Sequence, residues 1–450
     1  MKLTVIGGGS SYTPELADGV IKNYATFPVT EITLVDIEEG RQKAEIICAL
    51  LKRMFKRARL PIDVSASLDR RRALNGADFV ISQFRAGGLA ARSKDEKIPL
   101  KYGVIGQETT GPGGFANALR TIPEALALCR DIQQECPDAW LVNFTNPSGI
   151  ITEAVLSHTG VKCIGLCNVP INMEREIIRA LNMDTGSPKS REAFWSVNKS
   201  RVRCMFAGLN HLSFIGKLFV DGQDVLLSGD LPRIGESVVK NIAGPEIPAD
   251  VIDAFRLIPS PYLRYYYMER DMLEEEMEKY RQTGKTRADE VRETEAVLFE
   301  KYRDETLAEK PEELSKRGGS LYSEAAVALM NSIWNDSGEI HVVNTLNRGA
   351  ITDLPYDAVV ETNCTIGRHG ATPLAYGPLP KQISGLVHHV KCYERLTIEA
   401  ALSGDVKKGV MALASNPLVR DVKLAKALFE DILAENKDYL GAFMRGAQNT

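Results

Sequence analysis

The chain opens with a β-rich run, Lys2 to Ile6, that meets three glycines, Gly7-Gly8-Gly9, and then a helix-forming stretch. This order constrains the fold more than any other feature. A strand that turns through glycines into a helix leaves backbone N–H groups at a helix N-terminus, where a pyrophosphate can approach closely. Thr13-Pro14-Glu15 reads as the helix start, with Thr13 as N-cap, Pro14 in the first turn and an acid near the positive end. Leu16, Val20 and Ile21 give that helix an apolar stripe. Ile32 to Val35 is the next strand, and Asp36 stands at its carboxyl end. An acid there accepts hydrogen bonds from ribose hydroxyls and repels a 2′-phosphate, so the unit predicts NAD over NADP. Gly7, Gly8, Gly9, Ser10, Ser11 and Asp36 are the expected cofactor contacts. Tyr12 replaces the third glycine of the usual fingerprint, which keeps a tight turn that binds nothing as the competing reading.

Short apolar runs continue the alternation of strand and helix. Asp78 to Ser82, Ala139 to Phe144 and Lys162 to Leu166 read as strands covered on both faces. The rhythm predicts an α/β, Rossmann-like, doubly wound sheet. It changes after about residue 170: 201–206 and 212–220 look like β segments, 269–316 is densely charged and reads as solvated helices, and the last sixty residues look helical. A chain of 450 residues exceeds what one core usually supports. The expected division is an NAD-binding domain over 1–170 and a mixed α+β domain over 171–450 for substrate, metal and oligomerisation, a lactate/malate dehydrogenase-like architecture.

Charge and cysteine content narrow the partners. A net charge of −4 argues against a nucleic-acid surface, and no apolar run is long enough to span a membrane. The first residues read as a strand, not as a signal peptide. The eight cysteines, at 48, 129, 136, 163, 167, 204, 364 and 392, show neither a disulfide framework nor a CxxC zinc spacing. A reducing, cytoplasmic setting follows as the expectation.

Several longer segments carry a resemblance. GGGSSYTPEL, LVDIEEG, QFRAGGLAARSKDEKIPLKYGVIGQETTGPGG, WLVNFTNPSG, GLCNVP, GLNHLSF, PSPYLRYYY and TRADEV run from the first residues to about 290, and SKRGGS, HVVNTLNRGAI and GPLP extend past 370. In these the chain resembles glycoside hydrolase family 4, the NAD- and divalent-metal-dependent glycosidases, and within it the 6-phospho-β-glucosidases. Tyr12 in the glycine loop is part of that family's pattern. The resemblance implies oxidation at C3 of the sugar by NAD, proton removal at C2, elimination of the aglycone from C1, addition of water and re-reduction by the same cofactor, an exception to two-carboxylate hydrolysis.

The resemblance also implies roles. Cys167 and His211 match the two metal ligands, with manganese as the expected ion, and a pair of protein ligands leaves coordination positions open. Tyr262 matches the base that takes the C2 proton, with Tyr265 as the alternative, and Glu108 matches an acid that raises the tyrosine's basicity. Arg92, Asn146 and Arg287 match sugar-phosphate contacts, with Arg85 a second candidate. Asn168 follows the metal cysteine where α-specific relatives tend to carry Asp, which points to β-glycosides. The expected substrate is a phosphorylated disaccharide or β-glucoside, and the family tends to form homodimers or homotetramers. The rival readings are an NAD-dependent hydroxy-acid dehydrogenase, a family 4 enzyme of α or galacto specificity, and a non-catalytic NAD sensor.

Overall fold

A computed structural model describes residues 1–181, 201–228, 244–316 and 322–446; Arg317-Gly318-Gly319 of the SKRGGS segment lies outside them. Six parallel strands form the front sheet: β1 (Lys2–Ile6), β2 (Glu31–Val35), β3 (Asp63–Ser67), β4 (Phe79–Ser82), β5 (Trp140–Asn143) and β6 (Lys162–Gly165). Their spatial order is β3-β2-β1-β4-β5-β6, the doubly wound order of dinucleotide-binding sheets. Alternation along each strand divides the core in two. Leu3, Val5, Ile32, Leu34, Phe79 and Ile81 pack on one face, while Ile6, Val35, Val80 and Leu141 pack on the other. Both faces are covered, so the strands are apolar almost throughout, whereas the edge strand β3 reads Asp-Val-Ser-Ala-Ser and gives little apolar signal.

Four further strands, β7 (Val202–Leu209), β8 (Leu212–Val220), β9 (Gln223–Asp224) and β10 (Ile258–Pro259), form a separate antiparallel sheet. The last three strands return to the front sheet. β11 (Glu339–Leu346) pairs antiparallel with β6, and β12 (Val359–Gly367) and β13 (Gly370–Pro373) continue outward, so the sheet has nine strands. The sheet is therefore not confined to the first 170 residues: segments from the second half complete its edge.

The two sheets are joined by side chains. Asn363 of β12 accepts from the Phe206 backbone N–H at 2.7 Å and donates to the Cys204 carbonyl at 2.9 Å. This fixes the hairpin β7–β8, whose tight turn carries His211, against the carboxyl end of the front sheet. The charged stretch forms two helices, Glu269–Thr283 and Arg287–Arg303, separated by Gly284 at φ +64°. A capping box of Thr286 and Asp289 starts the second. The C-terminal region is helical, at Lys381–Ser403, Val406–Ala414, Val422–Glu435 and Gly441–Gly446.

Candidate active site and cofactor cradle

The glycine loop is shaped by contacts that leave no room for side chains. Gly7 sits at φ +82°, and a Cβ there would lie 2.9 Å from the Phe84 backbone. A Cβ on Gly8 would fall 2.6 Å from that of Leu34. The Gly7 and Gly8 N–H groups both donate to the Val35 carbonyl at 2.9 Å, which docks the loop on β2. At the loop's end Gly9 N–H donates to Asp36 Oδ2 at 2.8 Å, and Ile37 N–H donates to Asp36 Oδ1 at 2.9 Å. The loop thus offers the cradle that a pyrophosphate needs, and Asp36 is held beside it.

The helix that follows starts one residue earlier than the sequence suggested. Tyr12 is the N-cap and Thr13 lies inside the first turn of Thr13–Asn23. The Thr13 hydroxyl donates to the Gly8 carbonyl at 3.0 Å and accepts from Gln83 Nε2 at 2.8 Å, so it secures the loop instead of capping the helix. Ser10 is half-buried and accepts from Tyr12 N–H at 3.4 Å. Ser11 is fully buried; its hydroxyl donates to Glu295 Oε1 at 3.1 Å, and its carbonyl accepts from the Tyr302 hydroxyl at 2.8 Å.

Beyond the carboxyl end of β6, Cys167 meets His211. The Sγ–Nε2 separation is 3.7 Å. Two ligand bonds of about 2.0–2.3 Å converging on one ion at about 90–110° span roughly 3.1–3.6 Å, so the pair stands just beyond that span and a slightly wider angle at the ion would let it share a divalent cation. His211 holds φ +62°, uncommon for a residue with a side chain, and its buried Nδ1 has no hydrogen-bond partner. Burial drives the imidazole down to about 3, which leaves it neutral and able to coordinate. Burial pushes the Cys167 thiol up to about 12; the Glu361 charge adds to this, while hydrogen bonds from the Val169 backbone and the Asn210 side chain oppose it. A thiol in that state becomes a ligand when a cation takes the proton's place. Among the described residues no three or more His, Cys, Asp or Glu side chains are grouped so that they could hold a metal ion.

Tyr262 lies on His211. Their rings are 3.9 Å apart and 8° from parallel. Tyr265 stands 6.2 Å from Tyr262 and faces a different space, a cavity of about 130 Å³ that Arg92 and Arg287 also line. Of the two tyrosines, the geometry places Tyr262 beside the Cys167–His211 pair. Burial, followed by the charges of Cys167 and Glu108, holds its phenol well above the usual value, while Thr109 and Arg92 act in the other direction.

Glu108 is clamped. Arg85 Nη2 reaches its Oε2 at 2.5 Å and Arg92 Nη1 reaches its Oε1 at 2.9 Å. Arg92 also donates through Nε to Glu96 at 2.7 Å, and Glu96 in turn accepts the Ala288 N–H at 2.8 Å. Burial opposes the Arg92 charge, but Glu108 and Glu96 outweigh it and hold the guanidinium above its ordinary value. For Arg85 burial wins over Glu108, and its buried Nη1 has no hydrogen-bond partner. That orphaned donor leaves Arg85 with capacity for an anion. Arg287 lines the cavity and pairs with Glu290 at 3.0 Å. Asn146 follows β5, and its side-chain carbonyl accepts from Ser148 N–H at 3.4 Å. Asn168 precedes the helix Val169–Ala180, and its carbonyl accepts from Asn172 Nδ2 at 2.7 Å.

Sequence reasoning passed over Asn210 and Glu361. Asn210 Nδ2 donates to Glu361 Oε1 at 3.0 Å, behind both candidate ligands. The available signal was a charge inside the apolar strand Val-Val-Glu-Thr-Asn-Cys of β12.

A doubly wound nucleotide sheet whose carboxyl edge carries a part-buried Cys–His pair and a stacked tyrosine defines a cofactor-dependent enzyme. The chain belongs to family 4 of the glycosyl hydrolases: the family 4 glycosyl hydrolase model matches residues 2–183, and that of the family's C-terminal domain matches 206–419. A 6-phospho-beta-glucosidase of Escherichia coli (strain K12) is 41% identical over 452 residues, which cover 98% of this chain and 97% of that protein. The solved structure of the 6-phospho-beta glucosidase from Thermotoga maritima with manganese, NAD+ and glucose-6-phosphate superposes with a TM-score of 0.85 at 43% identity, covering 98% of this chain and 99% of that one. A lactate dehydrogenase from a Medee basin deep-sea metagenome shares the fold alone, with a TM-score of 0.51 at 12% identity over 89% of this chain and 98% of that one. The dehydrogenase-like architecture read from the sequence is borne out.

Proposed function

We propose that the chain hydrolyses 6-phospho-β-glucosides, such as cellobiose 6-phosphate, to glucose 6-phosphate and an aglycone, with NAD and one Mn2+ as resident cofactors. The observation that carries this reading is the meeting of Cys167, His211 and Tyr262 at the edge of a nucleotide sheet, 3.7 Å between the first two and 3.9 Å between the rings of the last two. Cys167 and His211 hold the ion, and the glycine loop with Asp36 holds the NAD. When bound, the ion supplies a Lewis acid for the C2 and C3 oxygens and the nicotinamide supplies a reversible hydride acceptor.

The chain's own residues do the rest. Tyr262 removes the C2 proton, and its closeness to the ion lowers the cost of its anion. Glu108, fixed by Arg85 and Arg92, sets the charge beside that phenol. Arg92, Arg287 and Asn146 receive the phosphorylated sugar, and Arg85 joins them through its open donor. Asn168 offers no carboxyl group to protonate a leaving group, which favours β-glycosides. We further infer a homodimer or homotetramer; exposed Val406, Met411 and Val422 on successive C-terminal helices are apolar surface that a second copy would cover. A cytoplasmic location is supported by eight cysteines none of which pairs in a disulfide. No helix of the described residues is long and apolar enough to cross a membrane.

The test is release of p-nitrophenol from its β-glucoside 6-phosphate with NAD, Mn2+ and a reductant present. The expected result is turnover without net NADH, lost on chelation and restored by Mn2+. The α-anomer and the unphosphorylated glucoside should be poor substrates. Accumulating NADH with a hydroxy acid and no release of p-nitrophenol would overturn the assignment.

A further inference from the structure

Eight acidic side chains are buried among the described residues: Glu15, Asp95, Glu96, Glu108, Glu153, Glu295, Glu361 and Glu394. Seven of them have a cationic partner within ion-pair distance, for example Asp95 with Arg120 and Glu153 with Lys391. Glu361 has none among the described residues, although it is 1% exposed. Neutral donors surround it instead. Asn210 Nδ2 at 3.0 Å and Asn344 Nδ2 at 3.3 Å reach Oε1, and Ser213 Oγ reaches Oε2 at 2.6 Å. Amide donors on Oε1 and a hydroxyl on Oε2 suit a carboxylate. A buried anion without a counter-charge is costly, and hydrogen bonds from neutral groups offset only part of that cost.

The missing positive charge has a place. Asn210 adjoins His211 in the turn between β7 and β8, and His211 Nε2 lies 3.7 Å from the Cys167 sulfur. Asn344 pairs in register with Gly165, two residues before Cys167. Glu361 therefore stands behind both candidate ligands: Asn210 and Ser213 flank His211, and Asn344 lies on the strand paired with the segment that leads to Cys167. We propose that Glu361 is the counter-charge and positioning residue of the divalent cation held by Cys167 and His211, a role that rests on that pair being the metal site. A thiolate, one carboxylate and a divalent ion sum to zero, so the buried assembly becomes neutral when loaded. Through Asn210 and Ser213 the carboxylate also fixes the His211 turn before the ion arrives.

The experiment titrates Mn2+ into the metal-stripped, reduced full-length protein and reads the free-ion EPR signal. In Glu361→Gln, Oε1 still accepts from Asn210 and Asn344, and the new amide can donate to Ser213. Its Mn2+ affinity should fall by about 10- to 100-fold, the usual effect of removing such an outer partner. Its metal-free melting temperature should be unchanged or higher, and the rise produced by Mn2+ smaller. Asn210→Ala, which leaves the carboxylate in place, should weaken Mn2+ by several-fold. Cys167→Ser separates the two layers of the argument: undiminished Mn2+ binding there overturns the metal site itself. If Cys167→Ser loses the ion but Glu361→Gln binds it within twofold of the native protein, the role of Glu361 is overturned. A lower metal-free melting temperature with unchanged affinity would make Glu361 a packing residue and nothing more.

Discussion

Replacing Asp36 with Asn tests the cofactor cradle without requiring turnover. A carboxylate offers about four acceptor directions. Two are already taken, by Gly9 N–H at 2.8 Å and Ile37 N–H at 2.9 Å, and two remain for a pair of ribose hydroxyls. Asn keeps one acceptor oxygen, so it cannot hold both backbone donors and also accept from the ribose. The loss is at least one hydrogen bond to a charged group, about 1.5–3 kcal/mol, or roughly 10- to 150-fold in Kd. The same change removes the repulsion that excludes a 2′-phosphate. Isothermal titration with NAD and NADP should therefore show weaker NAD binding and a smaller preference for it. An Asp36→Asn variant that binds NAD within twofold of the native protein, or that keeps the full preference, would refute the claim that Asp36 both shapes the loop and reads the ribose.

Other perturbations probe the site and its support. Tyr262→Phe should lower kcat by about 10²- to 10⁴-fold and slow deuterium incorporation at C2 in D2O by a similar factor, with Mn2+ affinity retained. Asp95→Asn leaves the fully buried Arg120 without its charge partner, and should cost about 3–5 kcal/mol, read as a fall in the urea midpoint. Burial pushes the Glu276 carboxyl up to about 7, so the folded chain binds a proton there that the unfolded chain releases near pH 4.5. Stability from this group is present below that value and is lost as the pH rises towards 7. Glu276→Gln, which can still accept from Gly106 N–H, should match the native melting temperature at low pH and exceed it at pH 8.

Much of the front sheet was legible because parallel strands covered on both faces are short, apolar and separated by helices. β1, β2, β4, β5 and β6 stand where the runs of Leu, Val and Ile placed them. β3 escaped because an edge strand with one wet face needs few apolar residues. β11 to β13 escaped for another reason: nothing local announces that a strand will pair with β6 across the intervening chain. Cys167 and His211 were nameable only through the motifs around them, since a lone thiol and a lone imidazole carry no signal of their own. The clamp on Glu108 and the bond from Asn210 to Glu361 depend on distances between remote segments, which composition and spacing do not encode.

The late return of β11 has a consequence for synthesis. β6 ends at Gly165, and its partner begins only at Glu339. At about 5–20 residues per second, a ribosome needs roughly 10–35 s to cover that interval. For that time the nascent sheet has an open edge of unpaired N–H and C=O groups, a template for pairing with another chain. Cys167 lies two residues beyond that edge, and His211 emerges well before the strand that closes it. A growing chain is thus exposed to mispairing and to thiol chemistry at one place, and chaperone binding or early metal capture there would protect both.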